Sequence, residues 1–277
     1  MRIEAIKPHG FCAGVAAAVA KAMAINDCIY AYHPVVHSEI VVDKLVRRGF
    51  KFVNSVDDVP SNSRVLVSAH GISPLEEKSL RNRSIEIIDA TCPFVWRVHN
   101  AAAKFARDGR LVVIVGDDGH AEVEGIKGEV QAVDGAELLV VSHVEELIDI
   151  RFTREKIGIV AQTTVNQEVA DNIVAFFLRK GFDVLYDVKV CNATKERQEA
   201  VKAFKGDGLL VLGSSTSANT MRLCSVSPCS NVFRASNIEE LKKIDFSGIN
   251  FLGVTSGAST PESFFREVLE YLGGVNE

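Results

Sequence analysis

The chain has 277 residues, 47% hydrophobic and 24% charged, with a net charge of −5. This leaves room for two or three small lobes or one large α/β domain. With no basic stripe and no apolar run of membrane-span length, neither nucleic acid nor a membrane is expected as a partner.

The N-terminus, Met1-Arg2-Ile3-Glu4, enters a strand pattern directly, without a signal-peptide pattern, so a cytoplasmic location is expected. The strand over 2–6 runs into Gly10-Phe11-Cys12-Ala13-Gly14-Val15, and a small-residue helix follows over 15–24. A short strand at 29–32 precedes a polar break at Val35-Val36-His37-Ser38-Glu39 and an amphipathic helix over 40–48, closed by Gly49. The strand over 64–67 ends in Ser68-Ala69-His70-Gly71, and Ser73, Pro74 and Glu76 have the spacing of a capped helix start.

The pattern then restarts. A strand over 85–88 leads to Asp89-Ala90-Thr91-Cys92, and Pro93 opens a helix to about 107. The strand over 111–115 ends in Gly116-Asp117-Asp118-Gly119-His120-Ala121-Glu122-Val123-Glu124-Gly125. Strands over 138–141 and 157–160 follow, the latter ending in Gln162-Thr163-Thr164, with a helix over 167–180. A third round runs from a strand over 184–190 to Cys191 and a helix to about 205. The strand over 208–212 ends in Ser217-Ala218-Asn219. The strand over 250–254 ends in Gly257-Ala258-Ser259, and a last helix starts at Pro261 and Glu262.

Alternating strands and helices predict an α/β protein with mostly parallel sheets. The repeat of strand, cysteine and helix predicts three small lobes: 1–90 with Cys12, 91–183 with Cys92, and 184–277 with Cys191, whose last residues could return to the first. Ligands of open parallel sheets sit beyond the carboxyl ends of the strands. The polar tips there group as Cys12, His37 and His70; Cys92, His120/Glu122 and Thr163; and Cys191, Ser217/Asn219 and Ser259.

Three thiolates at helix N-termini suit a metal centre, because the helix end favours the anion and lowers the thiol pKa. With no fourth cysteine in a matching setting, two options stand: a zinc with an open position, or an iron–sulfur cluster with one iron not held by protein. Cys28, Cys224 and Cys229 read as small buried hydrophobes. His37, His70 and His120 lie at strand ends. His9, His33, His99 and His143 have no matching context and read as structural or surface residues, with His9 close in sequence to Cys12. Ser217, Asn219 and Ser259 add hydrogen-bond donors, and loops before helices add N–H groups that suit an anion such as phosphate. Ser259 reads equally well as a helix cap with Glu262. Glu122 is the best acid beside a histidine, with Glu124 its competitor, and Thr163 could relay or orient through its hydroxyl.

Taken together, these segments resemble the family of 4-hydroxy-3-methylbut-2-enyl diphosphate reductases, the last enzymes of the non-mevalonate isoprenoid pathway. The resemblance rests on the cysteine motifs at 10–15, 89–93 and 191–194, on Val35-Val36-His37 and Ser68-Ala69-His70-Gly71, on Gly119-His120 with Glu122-Val123-Glu124-Gly125, on Gln162-Thr163-Thr164, on Arg197-Gln198, and on Gly253-Val254-Thr255 with Gly257-Ala258-Ser259. It implies a pseudo-threefold cloverleaf of three α/β lobes around one 4Fe-4S cluster held by Cys12, Cys92 and Cys191, with the fourth iron open to the substrate hydroxyl. It also implies that His37, His70, Ser217, Asn219 and Ser259 hold the diphosphate, that His120 contacts the substrate, that Glu122 is the proton source and that Thr163 orients the hydroxyl. Two electrons, from a reduced ferredoxin or flavodoxin, and two protons would expel water to give isopentenyl or dimethylallyl diphosphate. Departures are Ala218, where many relatives have a second serine, and Ala121, where relatives commonly have proline. A non-enzymatic iron–sulfur sensor or electron carrier, and a zinc hydrolase with Glu122 as base, are the competing readings.

Overall fold

A computed structural model of the chain describes residues 1–27 and 29–273; Cys28, read above as a buried hydrophobe, lies outside them. The strands in chain order are β1 (Arg2–Ala5), β2 (Tyr30–Tyr32), β3 (Lys51–Val53), β4 (Arg64–Val67), β5 (Glu86–Asp89) and β6 (Leu111–Val115), then β7 (Leu138–Val141), β8 (Lys156–Ala161), β9 (Asp183–Asp187), β10 (Gly208–Leu212), β11 (Asn231–Ala235) and β12 (Phe251–Ser256). They form three four-stranded sheets, ordered β1-β12-β10-β11, β3-β2-β4-β5 and β7-β6-β8-β9, and every pairing is parallel. This is a three-lobed α/β architecture. The chain divides into two compact units, one of Met1–Asp27, Val36–Gly49 and Asn192–Glu277, the other of Cys28–Val35 and Phe50–Cys191.

The central strands read as unbroken apolar runs because helices cover both faces of a parallel sheet. Leu111-Val112-Val113-Ile114-Val115 is buried at every position. Its odd-numbered residues pack with Ile157, Ile159 and Phe177; Val112 and Ile114 pack on the other face with Val98, Ala102 and Ile126. In the β10 sheet, Leu210 and Leu212 join Val254 and Phe265, whereas Leu209 and Val211 join Val201 and Phe204. Side chains alternating across these central strands therefore build one core on each face of both sheets.

The three sheets share one order. From the cysteine-bearing edge they read β1-β12-β10-β11, β5-β4-β2-β3 and β9-β8-β6-β7. Each is a run of four consecutive strands, except that the fourth strand of the last run is supplied by the N-terminus. β1 pairs with β12 in the register Arg2 to Phe251 through Ala5 to Val254. This corrects the lobe boundaries expected at 1–90, 91–183 and 184–277. β5 and β9 join the strands that precede them, not those that follow, and β1 joins the C-terminal sheet. Cys92 thus closes the sheet of β2 to β5, Cys191 that of β6 to β9, and Cys12 that of β10 to β12.

Three helices were not expected, one of them the short Ile238–Leu241. Ala121–Gln131 and Ala218–Ser225 begin where only polar tips were read, so Glu122 and Asn219 stand in first helical turns. The first is hidden by Gly125 and Gly128, poor helix formers. A Cβ at Gly125 would sit 2.8 Å from His99 Cε1, and one at Gly128 would overlap the Ser73 side chain. β3 and β11 also escaped notice, being outer strands with few buried positions.

Since the helix Glu262–Tyr271 packs Phe264, Phe265 and Val268 on the sheet between parallel β12 and β1, it returns the chain to the start of β1. A circular permutant that begins at Asn26 and carries residues 1–25 behind Gly273 through a Gly/Ser linker should keep the far-ultraviolet circular dichroism of the parent and unfold cooperatively. A permutant without sheet signal would contradict the placement of β1.

Candidate active site

Cys12, Cys92 and Cys191 each follow an edge strand and stand one residue before a helix, at Ala13–Met23, Pro93–Arg107 and Asn192–Ala203. All three are half-buried. In each case the cysteine N–H donates to a carbonyl just beyond the neighbouring strand: Cys12 to Ala258 at 3.1 Å, Cys92 to Ala69 at 3.0 Å and Cys191 to Thr163 at 3.2 Å. Those tips carry Ser259, His70 and Thr163 themselves. One backbone hydrogen bond per lobe therefore places a thiol beside a polar side chain singled out in the sequence. The Cys12 Sγ also accepts the Val15 N–H at 3.5 Å, so the thiol caps its own helix.

In the first unit, Ser217 caps Ala218–Ser225 by accepting the Thr220 N–H, and Ser259 Oγ lies 3.4 Å from Ser217 Oγ. Ser259 also donates to the His37 carbonyl at 2.9 Å. Ser217, Asn219 and Ser259 are all buried, and the Asn219 Oδ1 has no hydrogen-bond partner within the described chain. Ala218 is half-buried and adds only a methyl group to this cluster. The reading of Ser259 as a helix cap is corrected: Pro261 occupies the cap position of the last helix, without a side-chain bond, and Ser259 turns to Ser217 and His37.

In the second unit, Glu122 is 2% exposed and Glu124, two residues on, is exposed and bonded to Lys127. The Thr163 N–H donates to Glu122 Oε1 at 2.7 Å and the Thr163 hydroxyl to Oε2 at 2.9 Å. Burial pushes the Glu122 carboxyl above its ordinary pKa, opposed by the two Thr163 bonds and the charge of His99. A buried carboxyl with a raised pKa, beside a hydroxyl, is suited to proton transfer. His120 caps the same helix: its Nδ1 accepts the Glu122 N–H at 3.1 Å, which leaves the ring proton on Nε2. Burial lowers its pKa, opposed by Asp117, so the neutral ring is a donor through Nε2. The rings of His70 and His120 meet edge to face, 5.5 Å between centroids.

A family described as LytB protein matches residues 3–273. The chain belongs to this family. Its similar relatives are named 4-hydroxy-3-methylbut-2-enyl diphosphate reductase. The one from Psychrobacter sp. (strain PRwf-1) is 38% identical, with 98% of this chain and 89% of the relative covered. The one from Acinetobacter baylyi is 35% identical, with 98% and 90% covered. Among solved structures, the E-1-hydroxy-2-methyl-but-2-enyl-4-diphosphate reductase from Plasmodium falciparum aligns with a TM-score of 0.88 at 28% identity, covering 98% of this chain and 87% of its own. A second, described as the terminal enzyme of the non-mevalonate pathway, aligns with a TM-score of 0.69 at 33% identity, covering 98% and 99%.

In this LytB chain, Gln162 gained a role that the sequence reading did not assign, and His99 a definite structural one. Gln162 is fully buried; its Oε1 accepts the Asp117 N–H at 2.9 Å and its Nε2 donates to Thr164 Oγ1 at 3.0 Å. It ties the loop before His120 to the loop that carries Thr163. His99, read as structural or surface, is 1% exposed and touches the Glu129 carboxylate at 3.2 Å. Its seven-residue distance from Cys92, on the inner face of a helix, was the available signal. No helix among the described residues is long and apolar enough to cross a membrane.

The raised pKa of Glu122 makes a pH prediction. The folded chain holds this proton more tightly than the unfolded chain, so the contribution of Glu122 to stability falls as pH rises from the ordinary glutamate range through its folded-state value. Urea unfolding of the metal-free protein at a series of pH values should show this decline, and Glu122→Gln should lack it. In the acid range the amide of that variant can stand in for the protonated carboxyl, accepting the Thr163 N–H through its oxygen and donating to Thr163 Oγ1 through its nitrogen, so Glu122→Gln should there match the parent to within about 0.5–1.5 kcal/mol, the net worth of one hydrogen bond.

Proposed function

We propose that the protein reduces (E)-4-hydroxy-3-methylbut-2-enyl diphosphate to isopentenyl diphosphate and dimethylallyl diphosphate. Two electrons and two protons are consumed and the hydroxyl leaves as water. The reading rests on membership of the LytB family, whose relatives bear this enzyme's name. The observation that carries it within this chain is the buried Glu122–Thr163 pair. An iron–sulfur sensor or electron carrier would need the thiols alone. It would have no use for an acid held in a dry site, which burial makes costly to ionise.

The donor chemistry fits one 4Fe-4S cluster with Cys12, Cys92 and Cys191 as ligands. Three half-buried thiols in matched turns, each at or just before a helix start where an anion is favoured, form an all-sulfur set suited to iron–sulfur or zinc rather than to magnesium. When bound, the cluster would supply the electrons and a Lewis-acidic iron for the leaving oxygen. Reduced ferredoxin or flavodoxin is the proposed donor, and the cytoplasm, where thiols stay reduced, the proposed location.

The chain's own residues have separable tasks in this reading. Ser217, Asn219 and Ser259 present hydroxyl and amide donors, and His37, His70 and His120 add imidazole donors; together they take the diphosphate without a fixed positive charge. Ala218 contributes no donor. Protonated Glu122 would donate to Thr163 Oγ1, whose own hydrogen would then turn to the substrate hydroxyl. His120, whose Nδ1 accepts the cap bond, carries its ring proton on Nε2, the atom proposed to donate to the substrate.

Anaerobically reconstituted protein with substrate and a chemical reductant should form both products. Glu122→Gln should keep the cluster and lose activity by about 10²–10⁴-fold, the usual worth of a positioned acid, while Glu124→Gln should stay near wild type. Single Cys→Ser changes at 12, 92 and 191 should each lower iron and sulfide content, and Cys224→Ser should not. A colourless, iron-free, zinc-loaded protein would overturn the cluster assignment.

A further inference from the structure

Two arginines repeat one device. Arg97 lies on the second turn of the helix that follows Cys92, and Arg197 on the second turn of the helix that follows Cys191. Arg97 Nη2 donates to the carbonyl of Lys189, two residues before Cys191, at 2.5 Å. Arg197 Nη2 donates to the carbonyl of Gly10, two residues before Cys12, at 2.8 Å. Each guanidinium therefore reaches from the helix behind one cysteine to the turn that presents another. The helix after Cys12, Ala13-Gly14-Val15-Ala16-Ala17-Ala18-Val19-Ala20-Lys21-Ala22-Met23, has no arginine.

Each guanidinium makes a second contact, an ion pair for Arg97 and a hydrogen bond for Arg197. Arg97 places Nε 3.3 Å from the Asp187 carboxylate at the end of β9. Arg197, 3% exposed, spends Nη1 on the Ala193 carbonyl of its own helix at 2.9 Å. The Gly10 turn is built to receive the second. The Gly10 N–H donates to Ser256 Oγ at 2.8 Å, its φ is +73°, and a Cβ there would lie 2.7 Å from a Glu262 carboxylate oxygen. A planar guanidinium can bridge two acceptors in fixed directions, which an ammonium cannot do. A buried guanidinium is costly unless hydrogen-bonded, so its presence at Gly10 needs a return.

We propose that Arg97 and Arg197 are positioning residues for the cluster ligands Cys191 and Cys12, fixing the peptide two residues before each thiol. This rests on the reading of those cysteines as iron–sulfur ligands. Without the bond from the guanidinium to the turn carbonyl, the turn before the thiol gains freedom, and the cluster is lost sooner from that corner although its three ligands remain.

The test compares Arg97→Gln, Arg197→Gln, their Lys counterparts and Cys12→Ser after anaerobic reconstitution. The readouts are iron and sulfide content, the rate of anaerobic iron loss to a chelator, the electron paramagnetic resonance signal of the reduced cluster, and the thermal midpoint of the metal-free protein. Both Gln variants should lose iron about tenfold faster, as expected for a lost charge-assisted hydrogen bond, with altered resonance line shape. The Lys variants should recover less than half of that loss. A purely structural role would lower the thermal midpoint and leave the rate and the signal of the intact cluster unchanged, overturning the proposal. If Arg197→Gln fails to fold, Arg97→Gln, on a side chain one-third exposed, decides: iron loss at the wild-type rate overturns the proposal. A Cys12→Ser protein with a full, stable cluster would instead overturn the ligand assignment itself.

Discussion

The arrangement depends on one hydrogen bond made three times. Each cysteine N–H reaches the carbonyl just past the end of the adjacent parallel strand, at Ala258, Ala69 and Thr163. In a parallel sheet the ladder runs out at the carboxyl edge, and the first residues beyond it have backbone groups still to satisfy. Extending the ladder by this bond does two things. It stops the turn at a defined height above the sheet, and it sets the thiol beside the side chain of the neighbouring tip. The helix that begins at the next residue then turns its N–H groups toward the sulfur side.

The strand order follows from the same need. A cysteine can be held this way only if its strand has a neighbour, and β5 and β9 find theirs in the strands just before them, β4 and β8. β1 pairs instead with β12. It completes the sheet of β10 to β12, which would otherwise lack its cysteine edge. Long-range pairing of this kind closes the ends of the chain on one sheet, and the entropy of closing so long a loop grows only slowly with its length.

The acid site shows how burial turns an ordinary residue into a specialised one. Glu122 and Glu124 are two residues apart and both lie in the first turn of one helix, where the helix end favours a carboxylate. They point in different directions. Glu124 meets Lys127 and water, whereas Glu122 is enclosed and meets the N–H and hydroxyl of Thr163. Enclosure raises its pKa, while the Gln162 bond to Asp117 keeps the two loops in register. Motif spacing singled out this pair of carboxylates. It favoured Glu122 for its neighbouring histidine, but the difference in environment exists only after the helix Ala121–Gln131 has formed.

Local chemistry settled much of this protein in advance. Apolar runs of strand length, Ser73-Pro74 and Pro93 helix starts, and three cysteines in one setting determined the α/β class, most element positions and the residues that stand at strand ends, because those features depend on neighbours a few residues away. Tertiary structure alone decided which strand each cysteine strand pairs with. It also decided that Ser259 serves Ser217 and His37 in place of Glu262, and that Arg97 and Arg197 reach the turns of other cysteines. The physical reason is common to all of these. Each is a hydrogen bond or a close approach that forms only once the chain has folded, most of them between residues distant in sequence, and a distant partner leaves no mark on local spacing.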